Sequence, residues 1–183
     1  MDKLVKECID NLESTDNEIR ITALQTVLHL TEDEVDWVYD VWDKLVEKLN
    51  HKNSYQRSIA IMLLCNLAKS DIKNRLDASL ELLLAHTKDE KFITSRQCIQ
   101  FIWKVATTSK SRREKVLDYL EARFIECVDE KHYNLIRQDI IQSVKSLYDH
   151  EQDDALLTRA QALMMTEQDE KYRKEYTDIL MDK

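Results

Sequence analysis

Four arginines, Arg20, Arg57, Arg96 and Arg137, recur at intervals of 37, 39 and 41 residues in a chain with no glycine and no proline. Each heads the same apolar pattern. Three residues on stand Ala23, Ala60, Ile99 and Ile140; seven on, Val27, Leu64, Trp103 and Val144; ten on, Leu30, Leu67, Ala106 and Leu147. Steps of 3, 4 and 3 hold such positions on one face of a helix. A helical face that returns every 40 residues or so predicts stacked helix pairs, each too small to bury its own apolar side alone.

The missing residues narrow the fold further. At average usage, 183 residues would hold roughly 13 glycines and 9 prolines. Without glycine, left-handed turns and tight hairpins lose their preferred residue, and phosphate-cradling loops of the Walker or dinucleotide type are excluded. No six-residue stretch alternates cleanly between apolar and polar, so strands are not predicted. The expectation is an all-α chain forming a right-handed α-α superhelix of about five antiparallel helix pairs. Taken as one domain over 1–183, the pairs fall near 2–30, 34–69, 71–107, 110–149 and 153–182.

Local signals place the turns. Asp16 closes a Ser14-Thr15-Asp16 break before a helix through Ile19, Ala23 and Val27. Thr31 and Glu34 have the spacing of a capping box, in which each side chain answers the other's free backbone N–H. Asparagine in Asn50–Ser54 is the expected stand-in for a helix-ending glycine. Ile72, Leu76, Leu80, Leu83 and Leu84 are the apolar positions of the third pair's first helix, and Thr166 to Asp169 is read as the cap of the last helix. The fifth pair shows no repeat arginine in register, as terminal repeats deviate where one face meets water.

With these residues in hand, the chain resembles the HEAT-repeat (armadillo-like) family. Its second helices open with a polar turn, then valine or isoleucine, arginine, and a small residue three further on. Asp16 through Ala23 follows that pattern closely; Asn53 through Ala60 follows it with Tyr55 and Gln56 before the arginine. Arg96 and Arg137 keep the register but put Ile99 and Ile140 where the small residue belongs. The resemblance covers roughly residues 2–150. It implies that the four arginines are structural and tie neighbouring repeats through an acidic ladder, and that the second helices line a concave surface. It does not imply an activity, because fold and function separate.

On that surface, positions +1, +5 and +8 from each arginine turn away from the buried set. They collect Met62, Gln97, Phe101, Lys104, Gln138, Gln142 and Lys145. Long amides with an aromatic suit a peptide or helix, supplying backbone hydrogen bonds beside apolar contact. The expected function is a noncatalytic protein- or peptide-binding scaffold, with Phe101 as anchor, the glutamines serving the partner's backbone and the lysines steering an acidic segment. Charge is consistent with this. The net is −8 overall, but residues 91–115 carry +6 between flanks of −8 (1–50), +1 (51–90) and −7 (116–183). A local band of that kind acts within a Debye length despite the overall sign. Lys110, Arg112 and Arg113 are read as a solvated loop.

Two other function classes are set against this. Some HEAT-like proteins are DNA glycosylases that grip a duplex in a basic concave face, using tryptophans and an aspartate. A duplex site neutralises six or more phosphates. Only Lys104 and Lys145 reach the expected groove, Trp103 falls at a core position, and the sequence pI is near 5.2, so nucleic acid is disfavoured. A self-associating structural subunit is the other alternative. Trp37, between acidic neighbours, is read as an exposed tryptophan. His29, His51, His86, His132 and His150 show no metal-ligand spacing, so neither metal nor cofactor is expected. Cys8, Cys65, Cys98 and Cys127 lack CxxC spacing and sit among apolar neighbours, as reduced buried thiols do. Without a signal-peptide core or an 18-residue apolar run, a cytoplasmic protein outside any membrane is expected.

Overall fold

The computed structural model describes residues 1–181, and the expected end of the fifth pair at residue 182 lies outside them. The described residues are helical, with turns and no strand. They fall into two compact units, Met1–Cys98 and Ile99–Lys183.

The first unit opens with α1 (Lys3–Asn11) and α2 (Asn17–Leu30), followed by α3 (Val38–Lys48) and α4 (Ser54–Leu67). Asp2, Asp16 and Asn53 accept the free N–H groups at the starts of α1, α2 and α4, at 2.8 to 3.2 Å. Such caps contribute about 1 kcal/mol each. Three short 3-10 turns, α5 (Leu80–Ala85) and the start of α6 (Phe92–Phe101) complete the unit. From Arg57 to Leu67, α4 is buried on every side, which is why its sequence runs apolar rather than striped. The one amide in that stretch, Asn66, donates to the Leu28 carbonyl and the Thr31 hydroxyl, both at 3.1 Å. It is therefore buried with its hydrogen bonds made.

The second unit contains α7 (Trp103–Ala106), α8 (Lys110–Glu126), α9 (Tyr133–Glu151), α10 (Asp154–Met164) and α11 (Glu170–Met181). Its core centres on α9, which α8, α10 and α11 all touch. Phe124 and Tyr176, both fully buried, meet edge to face with ring centroids 6.0 Å apart. That geometry places a positive ring edge on a negative ring face.

Several local expectations are corrected. Thr31 does not open a helix: it follows α2, and its hydroxyl donates back to the Val27 carbonyl at 2.7 Å, the bond a threonine makes most readily in a final turn. Glu34 is exposed, and α3 starts only after Trp37. Trp37 itself is buried, because it ends an irregular segment folded under α3 rather than lying on a helix. Asp169 alone caps α11, accepting from Lys171 at 2.8 Å, while Thr166 bonds back to Leu163. Ile72 is 81% exposed, since the stretch before α5 forms turns and not the continuous helix expected. Left-handed residues occur at Asn74, His132 and Gln152 and not in Asn50–Ser54. Arg112 is buried and Arg113 pairs with Glu151, so neither belongs to a solvated loop.

The fifth pair does carry a repeat arginine. Arg173 is the fourth residue of α11, as Arg57 is of α4 and Arg20 of α2, and the residue three further on, Tyr176, is fully buried. A tyrosine in place of alanine or isoleucine hid the register in the sequence.

Candidate binding grooves

The repeat arginines are held by carbonyls and acids. Arg57 donates through Nε and Nη2 to the two carboxylate oxygens of Asp89, each at 2.7 Å, and through Nη1 to the His51 carbonyl at 2.8 Å. Burial alone would raise the Asp89 pKa. The Arg57 hydrogen bonds, with those from the Lys91 N–H and His86, overcome this and lower it to about 2. Arg137 donates to the Phe124 carbonyl at 2.9 Å and to Glu167 at 2.8 Å, and its guanidinium lies over the Phe124 ring. Arg20 meets no acid among the described residues: it donates to the Ser14 carbonyl at 2.6 Å and to the Asn17 side-chain oxygen, and stacks 4.4 Å over the Tyr55 ring. The half-buried Arg96 lies 5.7 Å over the Phe92 ring. Each of these contacts joins residues of the same unit.

Along the second helices of the first unit runs a groove of about 410 Å³. Leu24 of α2, Tyr55, Ile59 and Met62 of α4, and Phe92 and Ile93 of α6 supply its apolar walls; Glu90 and Lys91 stand at one rim. The floor is polar but paired, with Ser58 donating to the Thr94 hydroxyl at 3.0 Å and Thr94 to the Ser54 carbonyl at 3.4 Å. One group is left over. The Oε1 of Gln97, which lines the groove, is buried and accepts no hydrogen bond among the described residues. An orphaned buried acceptor costs about 1–3 kcal/mol until a donor reaches it. Ile93, 62% exposed, stands at the mouth.

Met62 and Gln97 are the sequence-derived contact residues that line this groove. Tyr55, Phe92 and Ile93 were not read from the sequence. They lie in the first helical turn, ahead of the repeat arginine, whereas the columns were counted forward from it. Their signal was available: three large apolar side chains in a turn that is otherwise polar.

The remaining contact residues belong to the second unit. Phe101 and Trp103 are both half-buried, and the Lys104 ammonium sits 5.2 Å and 5.8 Å from their ring centres. Trp103 is not the core residue its register predicts, because α6 and α7 are broken at Ile102; its ring faces His150 at 6.3 Å. Gln138 is half-buried and Gln142 exposed. Lys145 is buried, and its ammonium is held by both oxygens of Asp149 at 2.7 Å. Among the described residues no three His, Cys, Asp or Glu side chains are grouped to hold a metal ion. No helix there is long and apolar enough to cross a membrane.

No protein-family model matches the sequence, nor does any curated protein. Solved structures do match the fold. One is the complex of CpcE and CpcF of phycocyanin lyase from Nostoc sp. PCC7120, with a TM-score of 0.64 at 14% identity over 96% of this chain and 96% of that one. An engineered protein matches at a TM-score of 0.57 and 18% identity, over 98% of this chain and 80% of its own. A designed armadillo repeat protein matches at 0.54 and 14%, over 96% and 80%. The chain has the all-α fold of the HEAT- and armadillo-like solenoids.

Proposed function

We propose that the chain is a noncatalytic binding scaffold that takes an apolar-anchored protein or peptide segment in the groove of its first unit. The observation that carries this is the juxtaposition of apolar walls with the unpaired Gln97 Oε1. An apolar side chain seated between Met62 and Ile93 would bring its own backbone N–H groups to that acceptor, whereas a smooth apolar ligand would leave the acceptor orphaned. Phe101, Lys104, Gln138 and Gln142 are proposed as a contact surface on the second unit, with Lys104 and the exposed Lys110 favouring acidic residues in the partner. Lys145 would add little there, since Asp149 neutralises it. The likeness to one subunit of a two-protein complex, the CpcE–CpcF pair, supports a protein as partner; a place outside any membrane, in the cytoplasm, is part of the same proposal.

A peptide-display selection on the full chain, followed by titration of the enriched peptides, tests the reading. Selected peptides share an apolar anchor. Their affinity falls at least tenfold in Ile93→Asp and in Gln97→Leu, and less in Gln97→Glu, which keeps an acceptor. Phe101→Ala with Lys104→Glu weakens only those peptides that also carry acidic residues. A selection with no enriched consensus, or binding indifferent to residues 93 and 97, would sink the proposal. Retention that disappears with nuclease would point to nucleic acid instead.

A further inference from the structure

We infer that the outer face of the α10–α11 pair docks a helix pair of a partner protein whose inter-helix turn presents an aspartate or glutamate to Arg173. One position recurs in every repeat. Ser14, His51, Asp89, Glu130 and Glu167 each stand two residues before the residue that caps the second helix of their pair. Four of them accept that capping residue's N–H through the side chain: Ser14 at 3.1 Å, His51 at 3.0 Å, Asp89 at 2.8 Å and Glu167 at 3.0 Å. At two of the three acids the same carboxylate also receives the arginine of the preceding pair, while Glu130 instead takes Arg123 from the first helix of its own pair. Asp89 takes Arg57 from 32 residues earlier, and Glu167 takes Arg137 from 30 earlier. A carboxylate can serve both because it offers about four acceptor sites.

Arg173 occupies the same place in α11, but its rung is open. Its Nε is buried and makes no hydrogen bond among the described residues, and no ion pair there engages its guanidinium. It lies in a groove of about 430 Å³ with Met165, Thr177, Leu180 and Met181. Met165 and Met181 are 70% and 75% exposed, although the matching face of α9, one pair earlier, is covered by α10 and α11. Thioether side chains adapt to an incoming helix, and a half-buried guanidinium among them calls for one carboxylate. A polyanion fits poorly, because the exposed Glu170 and Asp178 lie on the same helix. The covering element is therefore another helix pair with an acidic turn.

The chain supplies its own probe. Its first pair has Ser14 at the acid position, and that end carries exposed Leu4 and Ile19. Ser14→Glu makes it an acidic-turn helix pair, and Arg173→Glu in the same molecule disables that molecule's own receiving face. Wild-type chain titrated with the Ser14→Glu, Arg173→Glu chain is followed by sedimentation velocity and calorimetry, with circular dichroism confirming that each folds. The expected result is a 1:1 complex that weakens at least tenfold when the receiving chain is Arg173→Gln or Arg173→Glu. No complex at 1 mM of each (order of magnitude from), or one indifferent to residue 173 of the receiver, overturns the inference. Self-association of wild type alone that Arg173→Gln abolishes would overturn the acidic-turn partner and make the occupant a second copy.

Discussion

Arg57 and Asp89, 32 residues apart, share two 2.7 Å hydrogen bonds with both side chains almost wholly buried. Removing one member leaves the other charged and unsolvated. Arg57→Met and Asp89→Leu should each lower unfolding free energy by about 3–5 kcal/mol, while the double variant should cost much less than their sum. Urea denaturation of the four chains gives the coupling directly. Additive costs would mean the pair does not hold the repeats together.

The same pair sets an acid dependence. The Asp89 pKa falls from 3.8 to about 2 in the folded protein, so folding favours the ionised form. That contribution is complete above pH 4 or so and is lost as pH falls through about 2. Between those values the wild type should lose stability more steeply than Asp89→Asn, which has no such proton to bind. Parallel slopes would remove Asp89 from the account of acid unfolding.

The arginine register was legible in the sequence because each arginine heads a strictly spaced apolar face. What each arginine holds was not. Asp89 and Glu167 belong to turns, and nothing local distinguishes them from Glu90 or Asp169 beside them. Arg173 was missed because Tyr176 breaks the small-or-aliphatic pattern, although its ring fills the same kind of buried position. Among the contact residues, Lys145 reads as groove-facing by periodicity, yet Asp149 four residues on captures it. Periodicity gives the direction of a side chain but not its nearest partner.

Tyr176 predicts behaviour at the opposite end of the pH scale. Its hydroxyl donates within 3.3 Å of the Asn134 carbonyl and lies 3.4 Å from Glu167. Burial first, then the Glu167 charge, pushes its pKa well above 10. The folded state therefore keeps a proton that the unfolded chain releases, so stability present below pH 10 is lost as pH rises beyond it. Tyr176→Phe should cost about 1 kcal/mol at pH 7 but flatten the decline between pH 10 and 11.5. An unchanged alkaline slope would locate that decline elsewhere.

Arg159 collects three carboxylates from one face of α8: Glu114 at 2.8 Å, Asp118 at 2.9 Å, and Glu121. Without the arginine, the three acids repel one another along the helix. Because the cluster is partly exposed, Arg159→Ala should cost only about 1 kcal/mol at low salt, and less than half that in 1 M NaCl. A cost that does not change with salt would show that its aliphatic stem, and not its charge, matters.

Gln152 ends α9 at φ 56°, a left-handed conformation that costs a residue with a β-carbon about 1–2 kcal/mol. Its side chain offsets part of that by donating to the Asp149 carbonyl at 2.9 Å. Gln152→Val removes the hydrogen bond and adds a β-branch, so it should destabilise by about 2 kcal/mol. Gln152→Gly relieves the backbone strain but adds freedom to the unfolded chain, and the two nearly cancel. Thermal melts of these variants should therefore place glycine near wild type and valine well below it. If valine were tolerated as well as glycine, the turn after α9 would not need its left-handed residue, and the absence of glycine from this chain would carry no local penalty there.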